Sequence, residues 1–224
     1  MIHNYNDFIT TLFDAGFSMG GSNDENIFSV ASQYSAFIQS HTDDPETDPW
    51  EWRMRVLDER DDIAYAKLFF KKSGYITKEW YPYFFAARRG SKTIDDEYTD
   101  GKISISVRRI YCAVAENGTL PLHVIKQLAG FNKDEKSKFD SSLTELQMRM
   151  YLTMSGNQQK LSKKGDEYGW SSTVFCTVEH FWGSDVIKKA SSIRENEAID
   201  KITEQILKLN PSAHENKIIR FIKG

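Results

Sequence analysis

The chain has 224 residues, of which 40% are hydrophobic, 27% charged and 13% aromatic, with a formal net charge of −3. That balance suits one large or two small folded domains and excludes a mainly disordered chain. No apolar run approaches the roughly 18 residues that a membrane-spanning helix needs. Residues Met1 to Asp14 lack the basic start and the small-residue cleavage site of a secretory signal, so the chain reads as cytoplasmic. The two cysteines, Cys112 and Cys176, are too few for a disulfide framework and read as buried thiols. Residues 1–100 carry 10 Lys/Arg against 18 Asp/Glu, and residues 101–224 carry 19 against 14, which points to two modules with different surfaces.

Tyr5, Phe8, Leu12 and Phe13 fall at helical spacing, and Gly16 stops that helix. A glycine-rich loop over 16–24 follows. Residues 26–39 are apolar without clean periodicity, and 41–49 read as a loop. From Trp50 to Leu57 the pattern alternates, with Trp50, Trp52, Met54 and Val56 opposite Glu51, Arg53 and Arg55, which predicts a strand. Ile63 to Phe70 predicts a second strand, turning at Lys71, Lys72 and Gly74. Thr77 is placed as the cap of a helix through Trp80, Tyr81, Phe84 and Phe85 to Arg88. Residues 90–101 read as a surface linker.

The second half is more regular. Val107, Ile110, Tyr111 and Val114 form the stripe of an amphipathic helix that stops at Gly118. A short helix with Leu122, Ile125 and Leu128 or Ala129 inside ends at Gly130. A third helix begins near Asn132, with Phe139, Leu143 and Leu146 inside. A strand is predicted over 150–154, a hairpin tip over 155–159, and return strands near Lys160 and over 173–177. The tail predicts helices with Ile199, Ile202 and Ile206 on one stripe, and a capping box between Ser212 and Glu215.

The expected fold class is therefore α+β and helix-rich. Residues 1–98 make an N-terminal mixed α/β module with a Trp/Arg-rich strand. Residues 99–182 make a winged helix-turn-helix of three helices plus a β-hairpin wing, and residues 183–224 a C-terminal helical tail. In such a unit the third helix enters the major groove and the wing meets phosphates. The expected DNA contacts are Lys136, Lys138, Ser141, Ser142 and Arg149 on the helix, with Gln159, Lys160, Lys163 and Lys164 on the wing. Asp140 and Glu145 lie on the same helix and oppose phosphate. The basic excess over 101–182 is only three, 11 Lys/Arg against 8 Asp/Glu.

In the first module Trp50, Trp52, Arg53 and Arg55, with Trp80, form a candidate ligand surface in which rings stack on a base and arginines meet an anion. The simpler reading packs Trp50 and Trp52 into the core and leaves Arg53 and Arg55 in solvated ion pairs. Asp44, Glu46 and Asp48 imitate the start of a calcium loop, but Pro49 stands where glycine is required. The five histidines show no metal spacing, and Gly16, Gly20 and Gly21 lack the sequel of a phosphate-binding loop. No metal and no cofactor is expected.

Arg109 to Trp182 resembles a winged-helix module of the AlkZ-type DNA glycosylase family. The stretches that carry the likeness are Asn117-Gly118-Thr119-Leu120-Pro121-Leu122, Leu143-Thr144-Glu145-Leu146-Gln147 and Tyr168-Gly169-Trp170. Across its length the chain is similar to small bacterial AlkZ-related proteins. The landmarks there are Phe17-Ser18-Met19-Gly20-Gly21, Asp48-Pro49-Trp50-Glu51-Trp52-Arg53 and Lys78-Glu79-Trp80-Tyr81-Pro82-Tyr83-Phe84. The resemblance implies tandem winged helices holding duplex DNA in a concave basic face. In the glycosylases a Gln-hydrophobic-Gln motif positions the hydrolytic water. This sequence has no such triplet: Gln33, Gln39, Gln127, Gln147 and Gln205 stand alone, and Gln158 and Gln159 are adjacent. No catalytic residue is carried over.

Three readings stay open. The first is a non-catalytic winged-helix DNA-binding protein, with duplex DNA as partner, no membrane, and self-association undecided. The second is a DNA glycosylase that excises damaged bases with a carboxylate such as Glu51 or Asp58. The third is a protein-interaction or small-ligand module whose acidic half covers the basic half.

Overall fold

The computed structural model describes residues 1–42, 44–159 and 171–224. It is α+β and divides into two compact units, residues 1–91 with 184–224, and residues 92–183.

In the first unit, α1 (Tyr5–Ala15) opens on Asn4, whose side chain accepts from the Asp7 amide, and closes on Gly16 in the left-handed region at φ 84°. Its buried stripe, Tyr5, Phe8 and Leu12, has the three- and four-residue spacing that makes the helix legible. The loop expected over 16–24 contains a short strand, β1 (Phe17–Met19). Only a 3₁₀ turn, Val30–Gln33, gives regular structure to 26–39.

The strand predicted over 50–57 is a helix, α2 (Pro49–Glu59). Asp48 caps it by accepting from the Trp50 amide, and Pro49 has its φ already fixed for the first helical position. Alternation and helix share one pair here. Trp52 and Val56 stand two positions apart in the alternating set and four apart in sequence, and both are fully buried. Trp50, which alternation puts with them, is 45% exposed under the Arg53 guanidinium.

β2 (Ile63–Phe69) and β3 (Lys72–Thr77) form an antiparallel hairpin, and β1 pairs with β3 to give the order β1-β3-β2. Thr77 ends β3 instead of capping a helix; α3 (Tyr81–Arg88) starts after Trp80 without a side-chain cap. The hairpin turn is Phe70-Lys71, with both residues at positive φ, 50° and 62°.

α9 (Glu195–Leu209) packs on α3, and α10 (Glu215–Lys223) packs on both. Ala198, Ile202 and Ile206 supply the inner face of α9, and Ile199 is half-buried. Ser212 does not cap α10: its carbonyl and hydroxyl oxygens accept from the Asn26 amide group instead. Phe221 stacks on Phe69 with ring centroids 3.9 Å apart and packs edge-on against Phe84. The Arg88 guanidinium donates to the carbonyls of Leu68, Phe221 and Ile222, which ends α10 on a cation. Burial pushes that guanidinium below its ordinary value.

In the second unit, the stretch expected as linker contains α4 (Ile94–Thr99), opened by a reciprocal capping box between Thr93 and Asp96. Then come α5 (Ile105–Asn117), β4 (Leu120–Pro121), α6 (Leu122–Leu128), α7 (Lys136–Met148), β5 (Leu152–Gln158) and β6 (Ser172–Thr177). The three strands are antiparallel in the order β4-β6-β5. The core is Val107, Ile110 and Val114 of α5, Ile125 of α6, Phe139, Leu143 and Leu146 of α7, and Leu152 and Phe175 of the sheet. Residues 155–158, expected at a hairpin tip, continue β5: a register shift between Met154 and Gly156 restores pairing as far as Gln158 with Ser172. α8 (Val178–Ser191) is broken at Gly183, at φ 68° and ψ −167°, where one unit gives way to the other.

Candidate nucleic-acid interface

The turn between α6 and α7 is fixed by a residue that sequence patterning did not single out. Arg109, midway along α5, donates from its guanidinium to the carbonyls of Ala129 and Gly130 and lies 5.0 Å over the Phe131 ring. Phe131 meets Phe139 edge-on at 5.2 Å. Gly130 takes φ 68°, and a Cβ there would come within 2.6 Å of the Arg109 guanidinium. Arg109 thus holds the turn that leads into α7 against α5. Its only sequence signal is a cation beside the apolar stripe of that helix.

α7 divides along its length. In its N-terminal half Lys136, Lys138 and Ser141 are exposed, together with Lys133 before it. Lys138 reaches Glu135 only at 4.0 Å. Lys133 and Lys136, and Lys126 on α6, make no ion pair with a described residue. The exposed acids Asp134 and Asp140 share this region. In the C-terminal half Ser142, expected outward, is only 5% exposed, and Thr144 and Gln147 are buried with it. The helix turns 100° per residue, so Ser142 follows Phe139 at a three-residue step onto the core side. Arg149 is taken up by the fold. It pairs with Glu97 at 3.0 Å and Glu145 at 2.9 Å and donates to the Lys102 carbonyl.

At the far end of the sheet Asn157 and Gln158 are exposed and Gln159 is half-buried. Lys160, Lys163 and Lys164, expected on the wing, lie outside the described residues. Of the sequence-predicted contacts, the structure therefore brings Lys136, Lys138 and Ser141 together on one exposed half-helix.

The Trp/Arg set of the first unit does not form one surface. Trp52 is buried and donates its indole N–H to the Pro45 carbonyl at 2.9 Å. Trp50 is covered by Arg53 at 3.3 Å. Arg55 lies over Tyr5 at 4.0 Å and pairs with Glu46 and Glu59. Trp80 packs edge-on against Phe17 at 5.3 Å. Glu51 and Asp58 are exposed on α2. Asp48 is 1% exposed and spends its carboxylate on the amides of Thr42 and Trp50. Among the described residues no group of three His, Cys, Asp or Glu could hold a metal ion, and no helix is long and apolar enough to cross a membrane.

Charge counted by structural unit also differs from charge counted by half. Residues 92–183 carry 12 Lys/Arg and 12 Asp/Glu and are neutral as a whole. Any attraction for a polyanion must come from local placement, and the start of α7 is such a place.

These features define an α+β protein of two units, the second holding helices α4 to α7 and a small antiparallel sheet. The chain belongs to the AlkZ-related family, whose model matches residues 2–223. No curated protein and no solved structure matches it.

Proposed function

We propose that residues 92–183 are a winged helix-turn-helix that binds duplex DNA without cleaving it. The α7 N-terminal half faces the major groove, and the β5–β6 arm lies along the backbone. The observation that carries this reading is the charge on the first half of α7. Lys133, Lys136 and Lys138 are exposed and make no close ion pair, whereas the cations of α5 and the end of α7 are consumed within the fold. Two further facts support it. The order helix, strand, helix, helix, strand, strand with the middle pairing β4-β6-β5 is the one a winged helix requires. Membership of a family named for its relation to AlkZ points the same way.

The cations at the start of α7 neutralise phosphates, and Ser137 between them and Ser141 after them, both exposed, are short enough to approach base edges. Asp134 and Asp140 keep the affinity modest. The test is duplex binding by fluorescence anisotropy across a salt series. Wild type is expected to bind at low ionic strength, with the α7 cations contributing roughly −3 to the log–log salt slope. K133A/K136A/K138A is expected to lose about tenfold or more in affinity and most of that contribution. Equal affinity and slope in the two proteins would rule the reading out.

A further inference from the structure

The first unit carries a cationic cluster that the α7 reading does not use. Lys71 and Lys72 sit at the tip of the β2–β3 hairpin, both exposed. Arg220, exposed on α10, holds its guanidinium 5.4 Å over the ring of Phe70, the first residue of the turn. Lys217, one helical step before it, pairs with Glu25. Glu25 lies within electrostatic reach of Lys217, Arg220 and Lys72 together, so the four groups occupy one neighbourhood. Lys71, Lys72 and Arg220 make no ion pair with a described residue. Three cations, Lys72, Lys217 and Arg220, therefore lie near one carboxylate, and Lys71 is next to Lys72 in the turn, in a unit whose total charge is negative, with 17 Lys/Arg against 20 Asp/Glu.

The backbone adds a second observation. Phe70 and Lys71 are both held at positive φ, which strains a side chain, where an Asn-Gly pair would form the same two-residue turn freely. The conformation persists because the hairpin register sets it on both sides and Phe70 is anchored between Arg220 and Phe221. The result is a rigid tip that presents two adjacent lysines beside a third, ring-supported cation. Two Nζ groups and a guanidinium suit a repeating anion better than a single small one, because each takes its own phosphate.

We infer that the β2–β3 tip and Arg220 form a second phosphodiester-binding patch, which contacts a nucleic-acid backbone without reading sequence. The inference rests on the proposed nucleic-acid function for its ligand, but on different residues in a different unit. The test compares three full-length proteins on a short DNA duplex and on the same strand unpaired: wild type, K71A/K72A/R220A and K133A/K136A/K138A. Circular dichroism and thermal unfolding confirm the fold of each.

The patch variant is expected to bind about tenfold more weakly than wild type at low salt, with the salt slope reduced by roughly two to three. E25Q, which removes the one carboxylate, is expected to bind severalfold more tightly. A patch variant with wild-type affinity and slope overturns the inference while leaving the α7 reading intact. Weakening by the patch variant alone, or binding of the unpaired strand with no binding of duplex, keeps the patch and removes the α7 reading. Binding of wild type to anionic phospholipid vesicles but to neither DNA overturns the inference in favour of a membrane surface.

Discussion

Arg149 at the end of α7 places its guanidinium 3.0 Å from the carboxylate of Glu97 on α4, which is only 5% exposed. A buried carboxylate is tolerable only with a partner, so a residue that sequence patterning puts on the DNA face is held by the fold. R149M strands that charge and is expected to destabilise the protein by about 2–3 kcal/mol, less than for a fully buried pair because Arg149 is half-exposed. Its duplex affinity in the folded state is expected to stay within about twofold of wild type. Urea unfolding and anisotropy below the transition measure the two effects separately.

Phe221 joins the C-terminal helix to the core of the first unit through Phe69, Phe84 and Phe17. F221A leaves a ring-sized void in a fully buried site and is expected to cost about 3–5 kcal/mol. A urea midpoint within error of wild type would show that α10 is not part of that core.

The strained hairpin tip makes an unusual expectation. K71G relieves a left-handed lysine and is expected to raise stability by about 1 kcal/mol, although it removes a surface charge. Calorimetry would show an upward shift in Tm, and a fall would contradict the assigned turn.

The two thiols differ in reach. Burial pushes the Cys176 thiol from 9.0 up to about 11, whereas Cys112 is half-exposed. Between pH 7 and 9 iodoacetamide is expected to add once to the native protein and twice to the denatured one, as read by intact mass. The same shift sets a sign for stability. Above about pH 9 the unfolded chain releases a proton that the folded chain keeps, so this group's contribution declines as pH rises toward 11.

Much of the second unit is legible because its helices repeat at 3.6 and stop at glycine. Val107, Ile110 and Val114 are buried as predicted, as are Phe139, Leu143 and Leu146, and Gly118 and Gly130 end their helices. The first unit is less legible, for identifiable reasons. The alternation from Trp50 to Val56 hides a helix because a step of four is also two steps of two. Asp48 and Pro49, a cap and a first-turn proline, were the better signal. β3 begins Lys-Ser-Gly and owes its place to pairing on both sides, which no local pattern records. α4 was announced by Thr93 and Asp96, three residues apart, inside a segment that its charges make look like linker. At the candidate interface, the exposed lysines could be read from sequence. The capture of Arg149 by Glu97 could not, because it joins residues 52 apart.

The proposal that α7 meets DNA is tested most directly by amide hydrogen exchange on the full chain with and without saturating duplex. Exchange is expected to slow over residues 133–141 and 157–159, while the buried end of α7 near Leu146 stays unchanged. Full occupancy of duplex with no protection anywhere in residues 133–141 would contradict it.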